Sequence, residues 1–186
     1  MKRLDALEVI AAESAKALIV CNIGFPCREL CSVGDRPEIF YMLGSMGLAS
    51  SIGLGVAIAQ PNKKIIAIDG DGALLMNLGS LSTIASLNLD NYLLIVLDNG
   101  VYGSTGSQPT SLSKKGKIAH IAQGAGVATV QEVNDRESLV NALKSMTKGV
   151  LIVKIEAGNS SVPLVPHEPQ EIKKRFMKAA ISPLAP

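Results

Sequence analysis

Residues 64–74 read Lys64-Ile65-Ile66-Ala67-Ile68-Asp69-Gly70-Asp71-Gly72-Ala73-Leu74. Lys64 to Ile68 has the apolar content of a strand, and it runs into a turn of alternating Asp and Gly. Leu74, Leu78, Leu81 and Ala85 then recur at helical spacing. A turn at Asn88 to Asn91 follows. Tyr92 to Leu97 is a second, unbroken apolar strand, as expected when both faces of a sheet are covered. Strand, helix, strand in this order is a βαβ unit, which requires a parallel sheet.

Working outward, residues 3–16 read as a helix with Leu4, Leu7, Ile10 and Ala11 on one face. Ala17 to Cys21 reads as a strand broken by the turn Asn22-Ile23-Gly24-Phe25-Pro26, and Cys27 to Val33 as a short helix. Ile39 to Leu43 is a strand, and Ser45 to Gln60 a helix of small residues stopped by Pro61. Beyond Leu97, Asn99 to Ser113 is a polar loop. A helix near 117–123, a strand near 127–130, a helix at 135–146 and a strand at 150–155 come next. Pro163, Pro166 and Pro169 punctuate an extended piece before a last helix, 169–180. The expected fold is one three-layer α/β/α domain over residues 1–186, with a mainly parallel sheet.

Composition narrows the functions. Lys plus Arg number 18 against 16 Asp plus Glu, and there is no Trp. Neither a basic stripe nor a base-stacking platform is available for nucleic acid. Residues 39–61 carry no charge over a length that could span a bilayer. Four glycines, three serines and a strand-like start favour a buried helix or a subunit contact instead. Cys21, Cys27 and Cys31 fit no common metal spacing and read as reduced thiols of a cytoplasmic protein. His120 and His167 have no evident partners in the sequence.

The chemistry concentrates at two strand ends. Gly70-Asp71-Gly72 offers close backbone approach, a helix N-terminus for a phosphate, and a hard oxygen ligand for Mg2+. Asp98-Asn99-Gly100-Val101-Tyr102 closes the next strand. Asn99 follows Asp71 by 28 residues, the length of one helix plus one strand, so both return to the same sheet edge. Ligands bind in open α/β sheets beyond that edge.

Gly70-Asp71-Gly72 followed by Asn99 resembles the thiamine diphosphate motif of the decarboxylase-type enzymes. The resemblance implies that Asp71, Asn99 and the Val101 carbonyl hold Mg2+ on the cofactor diphosphate, with Gly70, Gly72, Ala73 and Tyr102 around it. Gly44-Ser45-Met46-Gly47 is similar to a second family element. It implies that Met46 supports the bent cofactor and that the backbone of Gly44 and Ser45 faces its aminopyrimidine. Ala73 departs from the motif's frequent hydroxyl residue, and Asp98 from the first Asn of a frequent pair.

The stretches 22–30, 41–47 and 102–110 resemble the phosphonopyruvate and sulfopyruvate decarboxylases, and the length suits the β subunits of the latter. The resemblance implies decarboxylation of the 2-oxo acid sulfopyruvate to sulfoacetaldehyde and CO2, in coenzyme M biosynthesis. Phosphonopyruvate is the rival substrate, and a cofactor-binding scaffold or regulatory subunit the rival role. A chain of this length has no room for a pyrimidine-binding domain. The activating Glu is therefore expected on an α subunit, with helix 45–60 and segment 163–169 as contact surfaces. Arg28 is either the contact for the substrate anion or a surface ion pair with Glu29 or Asp35. Asp69 is assigned no role.

Overall fold

The computed structural model describes residues 1–113 and 116–182. Residues 114–115 and 183–186, inside the domain expected from sequence, lie outside the described residues. Six parallel strands form the sheet: β1 (Leu18–Cys21), β2 (Ile39–Tyr41), β3 (Ile65–Gly70), β4 (Tyr92–Asp98), β7 (Val130–Val133) and β8 (Gly149–Lys154). Their order is β2-β1-β3-β4-β8-β7. The chain leaves β1 toward β2 on one side and returns to β3 on the other. The strand order therefore reverses beside β1, and a crevice opens at the carboxyl ends of β1 and β3. Gly70 pairs with Leu97 in register, which brings the two motif turns side by side.

Helices cover both faces. On one, α1 (Arg3–Glu13), α2 (Phe25–Gly34) and α7 (Arg136–Ser145) pack Leu7, Ile10, Leu30, Leu139 and Leu143 against Ile66, Ile68, Leu93 and Ile95. On the other, α3 (Ala49–Ala59), α5 (Gly79–Leu87) and α6 (Ile118–Gly124) pack Leu54, Leu81, Ile84 and Ile118 against Ile65, Ala67, Leu94 and Val96. Alternate residues of β3 and β4 thus enter opposite cores, which is why both strands are apolar throughout. Gly53 lets α3 lie close on the sheet, since a Cβ there would meet the Ala67 Cβ at 2.9 Å. The last helix, α8 (Pro169–Ile181), closes the edge beside β2, with Phe176 against Phe40.

Four expectations are corrected. The helix expected from Ser45 begins at Ala49, because Ser45 (φ 59°) and Gly47 (φ 90°) hold a left-handed turn. The helical run after Gly72 is broken: α4 (Asp71–Leu74), a 3-10 turn at Leu75–Asn77, then α5. The strand expected at 127–130 runs from Val130 to Val133, since Val127 closes α6 through its N–H to the Ala122 carbonyl (3.0 Å). The loop 99–113 contains a small antiparallel ribbon, β5 (Val101–Tyr102) with β6 (Gln108–Pro109).

Among the described residues no helix is long and apolar enough to cross a membrane. His167, which showed no partner in the sequence, bonds Asp35 through Nε2 (2.8 Å), and Arg175 lies on both. Asp35 also accepts the Tyr41 hydroxyl (3.0 Å). These bonds tie α8 to the end of α2, and they hold the Asp35 carboxyl below its usual range against the opposing effect of burial.

Candidate active site

A cavity of about 310 Å³ opens at the strand ends. Its wall combines three turns: Asn22 to Pro26 after β1, Gly70 to Ala73 after β3, and Asn99 with Val101 to Thr105 after β4. Leu97, Met46, Arg3 and Asn159 complete it. Seven of the motif positions read from the sequence thus meet in one place: Gly70, Asp71, Gly72, Ala73, Asn99, Val101 and Tyr102. Met46 joins them from the left-handed turn. Gly44 and Ser45 are exposed and stand outside the cavity wall.

Asp71 is 3% exposed, and its Oδ2 accepts the Thr110 hydroxyl at 3.1 Å. Burial, and then the nearby Asp98 charge, raise its carboxyl above the ordinary value; Thr110 and the N–H groups of Gly72 and Asn99 act against that rise. Asp98 is itself paired with Lys154. The Asn99 side-chain oxygen accepts the Val101 N–H at 3.1 Å, which fixes its rotamer. Gly72 is required by contact: a Cβ there would lie 2.4 Å from the Tyr102 ring.

Sequence reasoning missed part of the wall. Asn22 is buried, with an Oδ1 that has no partner among the described residues. Beside it α2 begins after Gly24 (φ 85°) with no side-chain cap; Pro26 has no N–H, which leaves those of Phe25 and Cys27 without a side-chain cap among the described residues. Arg3 forks onto the fully buried Glu29, with Nε to Oε2 at 2.9 Å and Nη2 to Oε1 at 2.8 Å. Only an uncapped Gly-Phe-Pro helix start was legible as a signal for the first feature; nothing local marks the second. Arg28 is not in the wall. Its guanidinium lies 5.1 Å from the Phe25 ring centre, and the carboxylates expected to pair with it are taken by Arg3 and Arg175.

Residues 31–156 match the family described as thiamine pyrophosphate enzyme, C-terminal TPP binding domain. The chain belongs to this family. It is 46% identical to the sulfopyruvate decarboxylase subunit beta of Methanocaldococcus jannaschii, over 96% of each chain. It is 42% identical to a sulfopyruvate decarboxylase of Methanosarcina acetivorans, covering 95% of this chain and 46% of that one. A phosphonopyruvate decarboxylase of Streptomyces hygroscopicus is 36% identical over 97% of this chain and 46% of its own. Among solved structures, the thiamine diphosphate-dependent 4-hydroxybenzoylformate decarboxylase of Rhodococcus jostii RHA1 shares the fold. Its TM-score is 0.66 at 19% identity, over 86% of this chain and 33% of that one.

The wall suits the family's cofactor. A carboxylate, an amide oxygen and a main-chain carbonyl are hard ligands of the kind Mg2+ takes. Among the described residues no group of three or more His, Cys, Asp and Glu could hold a metal. The uncapped start of α2 and the glycines around Asp71 suit a diphosphate.

Asp69, left without a role, is fully buried under α3 with Oδ2 unpartnered among the described residues, and burial pushes its carboxyl up to about 7. The folded state holds this proton more tightly than the unfolded chain does. Stability from Asp69 is complete below the unfolded value of 3.8 and is lost as pH rises through about 7. Urea unfolding of the cofactor-free chain between pH 4 and 8 should show this decline. Asp69→Asn should flatten it; equal slopes in the two proteins would refute the assignment.

Proposed function

We propose that this chain is the diphosphate- and metal-binding subunit of a thiamine diphosphate-dependent sulfopyruvate decarboxylase, forming sulfoacetaldehyde and CO2. The observation that carries the reading is the meeting of Asp71 and Asn99 in one cavity at adjacent strand ends. When bound, thiamine diphosphate supplies the electron sink for loss of CO2 from a 2-oxo acid. Asp71, Asn99 and the Val101 carbonyl hold Mg2+, and the starts of α2 and α4 face the diphosphate. Met46 supports the cofactor from the apolar side. The chain acts as one domain in the cytoplasm, and its product serves coenzyme M biosynthesis.

The activating Glu belongs to a partner α subunit carrying the pyrimidine-binding domain. A surface for that partner borders the cavity. Leu43 (56% exposed) and Leu48 (42%) flank the turn that carries Met46, and Met76 (63%) adjoins Gly47. Ile58 (56%) is a further exposed apolar side chain, near the far end of α3. Such a patch beside a cavity marks an interaction site.

Decarboxylation should be assayed with thiamine diphosphate and Mg2+, on this chain alone and after co-purification with its α subunit. Turnover of sulfopyruvate by the complex, and none by the chain alone, is the expected result. Preference for phosphonopyruvate would transfer the reading to that acid, whose decarboxylase in Streptomyces hygroscopicus is 36% identical to this chain. Full activity of the chain alone would overturn the divided site.

A further inference from the structure

We propose that Arg3 reads the terminal oxyanion of the substrate. This rests on the decarboxylase reading above. Arg3 is the one cation in the cavity wall among the described residues, and it is 7% exposed. Nε and Nη2 are committed to Glu29, and Nη2 also donates to the Asn159 side-chain oxygen at 2.9 Å. Nη1 has no acceptor among the described residues. Arg3 lines this cavity and a neighbouring one beside Lys2 and Ser160, with its guanidinium 5.8 Å from the Phe25 ring centre. A guanidinium pinned by a buried carboxylate, with one nitrogen unspent, is preorganised for an oxyanion.

The surroundings support this use. Glu29 spends its own capacity on Arg3 and on the Ser160 N–H (2.9 Å), so it is saturated away from the ligand. Asn159 donates to the Gly103 carbonyl at 3.0 Å, which joins Arg3 to the turn carrying Ser104 and Thr105. Ser104 shares the wall and offers a neutral donor to the remaining oxygens, whereas the Thr105 hydroxyl already donates to the Gln108 side-chain oxygen at 3.0 Å. Asp71 and Asn99 serve the metal. The wall thus joins two chemistries, oxygen-rich at Asp71 and hydrogen-bond-donating at Arg3, and they adjoin at Gly103, beside both Asn99 and Asn159. A sulfonate, with one permanent charge shared by three oxygens, suits the donating part. Cofactor diphosphate is the other oxyanion that could meet Arg3, and the test separates the two.

The test uses the α/β complex and the double variant Arg3→Gln with Glu29→Gln, which leaves no unpaired charge buried. Sulfopyruvate and pyruvate, which lacks the terminal oxyanion, are compared by kcat/KM, and thiamine diphosphate affinity is measured by titration calorimetry. Selectivity for sulfopyruvate should fall about 10- to 100-fold, the size of a lost charged hydrogen bond, with cofactor affinity retained. Equal losses on both acids would overturn the proposal, as would weakened cofactor binding with unaltered selectivity. Titration with sulfoacetate gives a readout free of turnover. The double variant should bind it about tenfold more weakly than the wild-type complex. A wild-type complex inactive on sulfopyruvate refutes the decarboxylase reading, while the sulfoacetate result still decides Arg3. If the double variant fails to fold, Asn159→Asp, at an exposed loop position, places a second carboxylate on Arg3 and should weaken sulfoacetate binding; unchanged affinity would overturn the assignment.

Discussion

Asp71→Asn in the assembled enzyme should lower kcat/KM on the order of 10³-fold while leaving the fold intact. The side chain is buried, and its only side-chain partner among the described residues is Thr110. Asn keeps the shape and can still accept from Thr110, but it removes the one acidic ligand in the expected metal set. The substitution also relieves the repulsion between Asp71 and Asp98 that raises the Asp71 carboxyl. Stability should therefore stay level or rise while activity collapses. Circular dichroism and thermal unfolding, beside the assay and a Mg2+ titration, separate the two effects. An Asp71→Asn enzyme that kept more than about a tenth of wild-type activity, a loss worth less than one hydrogen bond to a charged group, would remove Asp71 from the metal site.

Gly149→Ala should lower the stability of the chain by about 3 kcal/mol or more. Gly149 opens β8 with φ 99°, and a Cβ there would lie 2.2 Å from the Thr129 carbonyl oxygen. That oxygen cannot retreat freely, because it accepts the Val150 N–H at 2.9 Å and sets the β7–β8 pairing. For a chain of this size the melting temperature should drop by roughly 6–12 °C. Gly55→Ala is the natural control. It sits in the exposed part of α3 with nothing within 4 Å of its Cβ, so it should be neutral or stabilising by about 0.5–1 kcal/mol. Similar melting temperatures for the two variants would show that the backbone at Gly149 relaxes.

The parts of the site that could be read from sequence are those fixed by local spacing. Asp71 and Asn99 lie one helix and one strand apart, and a parallel neighbour pair returns such residues to one edge. Gly72 and Tyr102 were legible for the same reason, although the close contact between the Gly72 backbone and the Tyr102 ring was not. Arg3 and Asn159 escaped because their meeting depends on how α1 and the segment after β8 converge across the sheet, and no periodicity encodes that. Arg28 looked the better cation because it sits in the turn-helix motif. It points to Phe25 because α2 presents Glu29, not Arg28, to the buried side. His167 and Asp35 were unreadable as a pair for the same reason of distance. The shift of β7 has a different origin. Val127 is apolar because it packs beneath α6, so an apolar run preceded the strand, while the edge strand itself exposes Gln131 and Glu132.

The bond between Arg3 and Asn159 joins residues 156 positions apart. A nascent chain can form β1, β3 and β4 long before residue 159 has been synthesised, yet the cavity's wall is incomplete until that residue arrives. The pocket is therefore the last part of the topology to be assembled, and a long loop must close before it exists. Ligand held there binds only the finished fold, so its free energy is added to global stability rather than to any partly folded form. Cofactor supply would then act as a selection for completed molecules, and a cell short of thiamine would hold this protein closer to its unfolding threshold.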